Sequence, residues 1–502
     1  MHSVPLSILD VSVGNFSAAA AAWVYDAPST EPGRHALSPA HLKQSFIKTL
    51  NAFPQWAGQL QYSSYDPHGD HTTRSRRLVV TYGVPSDPGV EFVVASSSAD
   101  IAAVFPSVEE RTSGIAAFDL SSLGALDLLP KAPALASHSN GDFSGLPCLI
   151  VQVTGFKCGG VVVALKSSHP LADAQALTVL VNHWAAVNSA LAQGLTPPVP
   201  NPIFSPASLD NAASGDIDAA SPDPEIVELA RELPIHRYDW WASADGCPVG
   251  ALESTKIPPH LALRTDMELG TPIPWGEWDF RAPVSNYLLY FSADEMANIW
   301  AAATVPGQQI SRFDALQAHL WSVLIRARTP HSADEQFYLN LSLGMRERVA
   351  PPLGDAFLGS PIVLARAVGT AAMSLAQLAR AVRDVVVQFT PVRTAALLHE
   401  MAFDVDARRL WGGFIGRRNT IVTSWMRLGV YEVDFGGGRP RFVQAIMPAM
   451  EGVIQVMEAM PASSRGRPWY QDGASVSLVL NTQVTQKIMN DPLLRKYRSG
   501  NP

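Results

Sequence analysis

Between residues 149 and 194 the chain reads LIVQVTGFKCGGVVVALKSSHPLADAQALTVLVNHWAAVNSALAQG. Two β-rich runs flank Gly159-Gly160, the pattern of a hairpin. The second run, VVVAL, is apolar enough for a central strand, and it leads within a few residues into a helical pattern. That helix places Leu177, Leu180, Trp184, Val187 and Leu191 on one face and stops at Gly194, ahead of Pro197 and Pro198. A central strand feeding a long amphipathic helix demands a sheet with helices packed on it. His169 stands at the joint, and Asp173 falls at the helix N-terminus, where a carboxylate accepts free backbone N–H bonds and meets the positive end of the dipole.

Spacing alone does not make His169 and Asp173 a motif. With thirteen histidines in the chain, roughly 0.7 His-x-x-x-Asp pairs are expected by chance. A second pair does occur, His138…Asp142, in the Ser-, Asn- and Gly-rich stretch HSNGD. No strand leads into it and no helix follows, so it reads as a surface loop. His169, at the end of a central strand, sits where sheets present chemistry.

The rest of the chain extends the mixed α/β pattern. Residues 38–55 (SPAHLKQSFIKTLNAFPQ) read as a helix with Ser38 as N-cap and Pro39 at its first position, ending before Pro54. Strands are expected at RLVVTYGV and VEFVVA, near 286–292, 336–342, 361–366, 419–424 and 475–480. Helices are expected after Ser292 and after Ser311, where Asp314 completes a capping-box pattern, and near 374–389 and 482–495. Residues 196–225 (TPPVPNPIFSPASLDNAASGDIDAASPDPE) lack any sustained period. They read as a crossover linker between an N-terminal domain, 1–195, and a C-terminal domain, 226–502.

Composition narrows the function classes. A net charge of −8 with no basic cluster argues against a nucleic-acid or anionic-membrane partner. Three scattered cysteines suit a reducing compartment and offer neither a disulfide framework nor a zinc site. No Lys or Arg precedes Arg34, Asp10 interrupts the stretch where a signal peptide would be apolar, and no run has the ~18 apolar residues of a membrane span. The expectation is a cytoplasmic monomer. No G-x-S-x-G element or HExxH is present, so a serine hydrolase or zinc protease lacks its signature, and no metal is expected.

Five segments, in order, resemble those of the BAHD acyltransferases. They are LKQSFIKTLNAFPQWAGQL, QVTGFKCGGVVVALKSSHPLAD, SRFDALQAHLW, LGMRERVAPPLGDAFLGSPI and VTSWMRLGVYEVDFGGGRP. The last carries a T-S-W element and a DFGGG version of the family's DFGWG. HxxxD alone is weak evidence; with DFGxG about 260 residues later and the linking elements between, it is specific. The chain departs from the pattern at Ala174 (usually Gly), Gly437 (usually Trp), Ser360 (usually Asn) and the PQWAGQL element, which points to a distant, fungal-like branch of specialised metabolism.

The resemblance implies two similar chloramphenicol-acetyltransferase-like α/β domains, each a mixed sheet flanked by helices, with a tunnel between them. It also implies acyl transfer from acyl-CoA, a co-substrate rather than a resident cofactor, to a hydroxyl or amine of a small, apolar acceptor. His169 is then the general base, suited by an imidazole pKa near working pH. Trp425, on its own context a core aromatic, becomes an indole donor to the oxyanion, and Thr423 helps orient the acceptor or the oxyanion. Asp173, paired with Arg346, and Asp434, with Gly436 and Gly438, hold loops rather than react. Arg312, Arg417 and Arg418 are candidates to meet the CoA phosphates, and His319 reads as a packed histidine. Two alternatives stay open on the residues: a same-fold enzyme using a carrier-protein-bound donor, or condensing or cyclising its substrate; and a non-catalytic ligand-binding protein.

Overall fold

The hairpin is the middle of a five-stranded sheet. Leu149–Phe156 and Val161–Ser167 pair antiparallel, Leu149 opposite Ser167, and the sheet order is Phe442–Ala445, Ala19–Tyr25, Val161–Ser167, Leu149–Phe156, Glu91–Ser97. Val162, Val163, Ala164 and Leu165 are buried, so this strand is central, as its continuous apolar run requires. The computed structural model describes residues 1–113, 117–120, 127–130, 135–136, 143–262, 264, 267, 269–406, 408–461 and 468–498. His138…Asp142 lies outside the described residues.

Ala174–Ala192 forms the long helix, with Asp173 as its N-cap. Its Leu177, Leu180 and Trp184 face are fully buried against Phe46, Phe92 and Phe435. An indole of this kind removes ~150–250 Å² from water. At ~25 cal/mol per Å² that is about 4–6 kcal/mol of gross transfer free energy, and Trp184→Ala would cost about 3–5 kcal/mol. The helix Pro39–Leu50, capped by Ser38, packs beside it.

A seven-stranded sheet organises the second half, in the order Ile362–Gly369, Phe337–Gly344, Asn419–Trp425, Val453–Glu458, Ala474–Asn481, Val284–Phe291, Phe118–Asp119. Arg312–Ala327 shares its apolar core, and its capping box forms: Ser311 Oγ accepts from Asp314 N–H and the Asp314 carboxylate accepts from Ser311 N–H. The helix expected over 482–495 stops at Met489, because Pro492 disfavours helical geometry just before it.

Each sheet takes one strand from the other half. Phe442–Ala445 pairs with Ala19–Tyr25, and Phe118–Asp119 pairs with Val284–Phe291. The proposed division at 196–225 therefore describes chain halves that interlock. That segment is also less featureless than its composition implies. Pro206–Asp210 is a short helix whose Asp210 accepts from Ile8 N–H at 2.8 Å and from the buried Arg77 at 2.6 Å. Ile203 forms an isolated parallel bridge to Phe357. Among the described residues, no helix is long and apolar enough to cross a membrane.

Candidate active site

One 3-10 turn, His169–Leu171, separates the end of Val161–Ser167 from Asp173. Ala172 N–H donates to His169 O at 3.1 Å, closing the turn. His169 is half-buried. Burial pushes its imidazole below the ordinary histidine range, and the nearby Asp173 charge opposes that shift.

The turn is clamped from the second half. Arg346 donates to both carboxylate oxygens of Asp173, at 2.6 and 3.0 Å, and to the carbonyls of Phe357 at 3.0 Å and Gly359 at 3.3 Å. Asp173 Oδ1 also caps Ala176 N–H at 2.9 Å, and Asp173 N–H donates to Gly359 O at 3.1 Å. Both charges are almost fully buried. A fork-to-fork pair whose remaining donors are used fixes orientation as well as charge.

Gly359 and Ser360 tie the turn to the N-terminus. Gly359 has φ +109°, and a Cβ there would lie 2.6 Å from Asp10 Oδ1. Asp10 accepts from Ser360 N–H at 2.5 Å and from Ser7 N–H and Oγ–H at 3.1 and 2.6 Å. Burial pushes the Asp10 carboxyl up to about 6, against the opposing effect of those hydrogen bonds.

Ser360 touches His169 twice. Its Oγ lies 2.5 Å from His169 O and 3.0 Å from His169 Nδ1. A hydroxyl has one proton and two lone pairs. The carbonyl can only accept, so the hydroxyl proton goes to it and Oγ accepts from Nδ1–H. That assigns the lone pair of neutral His169 to Nε2. Sequence reasoning passed over Ser360 as a departure from the family's asparagine, and Asp10 carried no signal beyond breaking an apolar stretch.

Trp425 ends the strand Asn419–Trp425 and is buried in the same apolar cluster as Leu171, Ala172 and Leu358, so the T-S-W element and the histidine turn share one core. Among the described residues its indole nitrogen has no hydrogen-bond partner. Thr423, two residues earlier on the strand, is partly exposed. The DFGGG loop stands apart from the histidine. Asp434 accepts from Gly436 and Gly438 N–H at 2.7 and 2.9 Å, which leaves those two groups unavailable to a phosphate. Phe435 is buried against Trp184 and Tyr25, and Asn188 donates to its carbonyl at 2.6 Å.

The three arginines considered for phosphate binding all have intramolecular partners. Arg417 is paired with Glu335 and Arg418 with Glu277. Arg312 stacks over Trp300 and Tyr470 at 4.8 and 4.1 Å. His319 is buried, with Nε2 3.0 Å from Leu494 O. His399 Nδ1 bonds Ser214 O and its Nε2 accepts from Asp223 N–H, a structural pattern.

A cleft of about 680 Å³, counting its open mouth, lies between the halves. It is lined mainly by apolar side chains, among them Val13, Ile362, Leu397 and Trp411. Phe16 belongs to its wall and also meets the His169 ring edge-on at 5.5 Å, so one aromatic ring stands between the cleft and the histidine. This lining suits the apolar part of a small organic ligand.

Two interlocked α/β halves with a histidine turn between them define a chloramphenicol-acetyltransferase-like scaffold. The sequence profile of the Transferase family matches residues 1–225 and 292–491, and the chain belongs to that family, the BAHD acyltransferases. It is 27% identical to "Acyltransferase AFT15-1" of Alternaria alternata over 94% of this chain and 90% of that protein. It is 24% identical to "Putrescine hydroxycinnamoyltransferase 1" of Oryza sativa subsp. japonica, over 91% and 88%. Among solved structures, F. graminearum TRI101, complexed with coenzyme A and deoxynivalenol, shares the fold with a TM-score of 0.65 at 17% identity, covering 99% of each chain.

Proposed function

We propose that this acyltransferase moves an acyl group from a coenzyme A thioester to a hydroxyl or amine of a small, largely apolar acceptor, with His169 as general base. The observation that carries the reading is the Ser360 contact, which leaves Nε2 as the free lone pair on a histidine one aromatic ring away from an apolar cleft. An alcohol is a poor nucleophile at neutral pH, so Nε2 takes its proton as the C–O bond forms on the thioester carbonyl. The resulting tetrahedral oxyanion needs a fixed donor, and the Trp425 indole N–H takes that role, with Thr423 helping to orient the acceptor. As the intermediate collapses, the C–S bond breaks and His169 returns the proton to the departing thiolate. No acyl-enzyme forms.

Asp173 and Arg346 hold the turn, and Asp434 with Gly436 and Gly438 holds the loop that pins the second half against the first. Of the three candidate arginines, Arg312 has no ion pair among the described residues, so it is the best placed to meet a CoA phosphate. The TRI101 complex with coenzyme A supports a CoA donor, and the Alternaria relative's name supports acyl transfer. A cysteine nucleophile has less in its favour: burial pushes the Cys148 thiol up to about 12, which leaves almost no thiolate at neutral pH.

The test mixes the protein with a panel of acyl-CoAs and small alcohols and amines, and follows free thiol. Release is expected only when an acceptor is present, with no burst in its absence, and His169→Ala should lose at least about a thousandfold in kcat. Equal turnover by His169→Ala, or no release from any pair, would refute the reading.

A further inference from the structure

The cleft next to Phe16 is lined mainly by apolar side chains. Four ionisable side chains lie on its wall: His236, Arg237, Glu400 and Asp404. Three of them leave no unpaired charge on the wall. Glu400 accepts from Arg237 at 3.0 Å, and those two charges cancel; Glu400 also accepts from the exposed Arg231 at 3.1 Å. His236 stacks on Tyr238 at 4.6 Å, and burial together with Arg366 pushes it down to about 3, so it carries no charge at neutral pH. Asp404 is different.

Asp404 follows the helix Pro391–Ala402, and its backbone N–H donates to Met401 O. Among the described residues its carboxylate has no hydrogen-bond or ion-pair partner. The nearby cations have other partners: Arg409 donates to Asp239 at 2.8 and 3.1 Å, Arg408 is paired with Asp406, and Arg237 serves Glu400. Asp404 is partly exposed, so water reaches its carboxylate in the free protein, and a ligand that fills the cavity and displaces that water must supply a donor in its place.

We propose that Asp404 anchors the acceptor by taking a hydrogen bond from a second N–H or O–H group on it, while the acceptor's reacting group points past Phe16 to His169. This deepens the acyl-transfer reading and rests on it: the acceptor class becomes a bifunctional molecule, an apolar spacer with a donor at each end. Burial and the neighbouring Glu400 push the Asp404 carboxyl up to about 7, while Arg409 and Arg237 pull it down. An ammonium end therefore binds better as pH rises through that value, when the carboxyl ionises. A hydroxyl end shows little such dependence, because a protonated carboxyl still accepts at its carbonyl oxygen.

Calorimetric titration of the full chain decides it. The probes are α,ω-diamines, matching amino alcohols, diols and n-alcohols of graded length. A probe with a donor at each end should bind about ten- to a hundredfold more tightly than the n-alcohol of equal length, as expected for a hydrogen bond to a charged group. Asp404→Leu should abolish that preference. Asp404→Asn should keep it for the diol and lose it for the ammonium probes. Preference for ammonium probes rising with pH assigns an amine end; a pH-independent preference for the diol assigns a hydroxyl end. Equal binding of one-ended and two-ended probes by the wild type, or a preference surviving in Asp404→Leu, overturns the proposal. Thiol release from the same panel of acyl-CoAs, followed in parallel, separates the two readings. Asp404-dependent binding without thiol release would sink acyl transfer and keep the anchor. Release with no dependence on Asp404 would do the reverse.

Discussion

Ser360→Ala removes one atom, and its consequence follows from the contacts of that atom. Oγ accepts from His169 Nδ1 at 3.0 Å and donates to His169 O at 2.5 Å. In the variant the carbonyl keeps its bond from Ala172 N–H, and residue 360 still donates its own N–H to Asp10. The turn therefore survives, and the loss falls on the imidazole. Nothing then holds the proton on Nδ1, and the ring is free to rotate. A net hydrogen bond to a neutral group contributes ~0.5–1.5 kcal/mol. A small misplacement of a reacting group costs up to ~10² in rate. Loss of a carboxylate that orients a catalytic histidine costs ~10⁴, an upper bound for a neutral hydroxyl. The expected fall in kcat is therefore about ten- to a hundredfold, with KM for the acyl-CoA changed by less than about threefold. Ser360→Cys, which keeps a weak acceptor, should fall between. Nitrogen NMR of imidazole-labelled protein should show the Nδ1–H tautomer of His169 in the wild type and a mixture in Ser360→Ala. A variant that retains more than half of wild-type kcat, or a wild type carrying its proton on Nε2, would refute the assignment.

Four further outcomes follow from the same geometry. Asp173→Ala strands the buried Arg346 guanidinium and should cost about 3–5 kcal/mol in denaturant unfolding, whereas the wild type's nearly sealed pair should be little affected by salt; a cost below about 1 kcal/mol would show that Arg346 finds water. Trp425→Phe keeps the ring packing and removes the indole N–H, so kcat should drop by about 10²–10³ with KM little changed; a KM effect alone would make Trp425 a packing residue. Because burial lowers the His169 pKa, the acid limb of kcat/KM should lie below the ordinary histidine range near 6.5, so activity persists at pH values where a free imidazole would already be protonated. Asp10 and Asp404 work the other way on stability: their folded pKa values, about 6 and about 7, exceed the carboxylate's 3.8, so their protonation favours the folded state at acid pH and that stability is lost as pH rises. The melting gain of Asp404→Asn over wild type should therefore grow from pH 4 to 7 and level off above; a gain that is constant with pH would show the carboxyl to be well solvated.

The elements legible in the sequence are those whose signals are local, and the parts that were not legible lie in single atoms meeting across the chain. The hairpin, the strand before His169 and the helix after it were written in apolar period, Gly-Gly and proline, and they formed where expected. The Asp173–Arg346 contact spans 173 residues and was reachable only through the family resemblance, since no period links the two positions. Ser360 and Asp10 are 350 residues apart, and neither residue type signals the other. The same limit explains Arg417 and Arg418: two adjacent arginines look like a phosphate site until the fold brings Glu335 and Glu277 against them. It explains the linker too, where Pro and Ser advertise a loop while Asp210 is bound to Ile8 and Arg77 across the fold. Charge in a sequence gives the ligand a protein could bind; only the fold shows which charges already have partners. By that criterion Asp404 stands out and the arginine pair does not, although the sequence alone would have ranked them the other way.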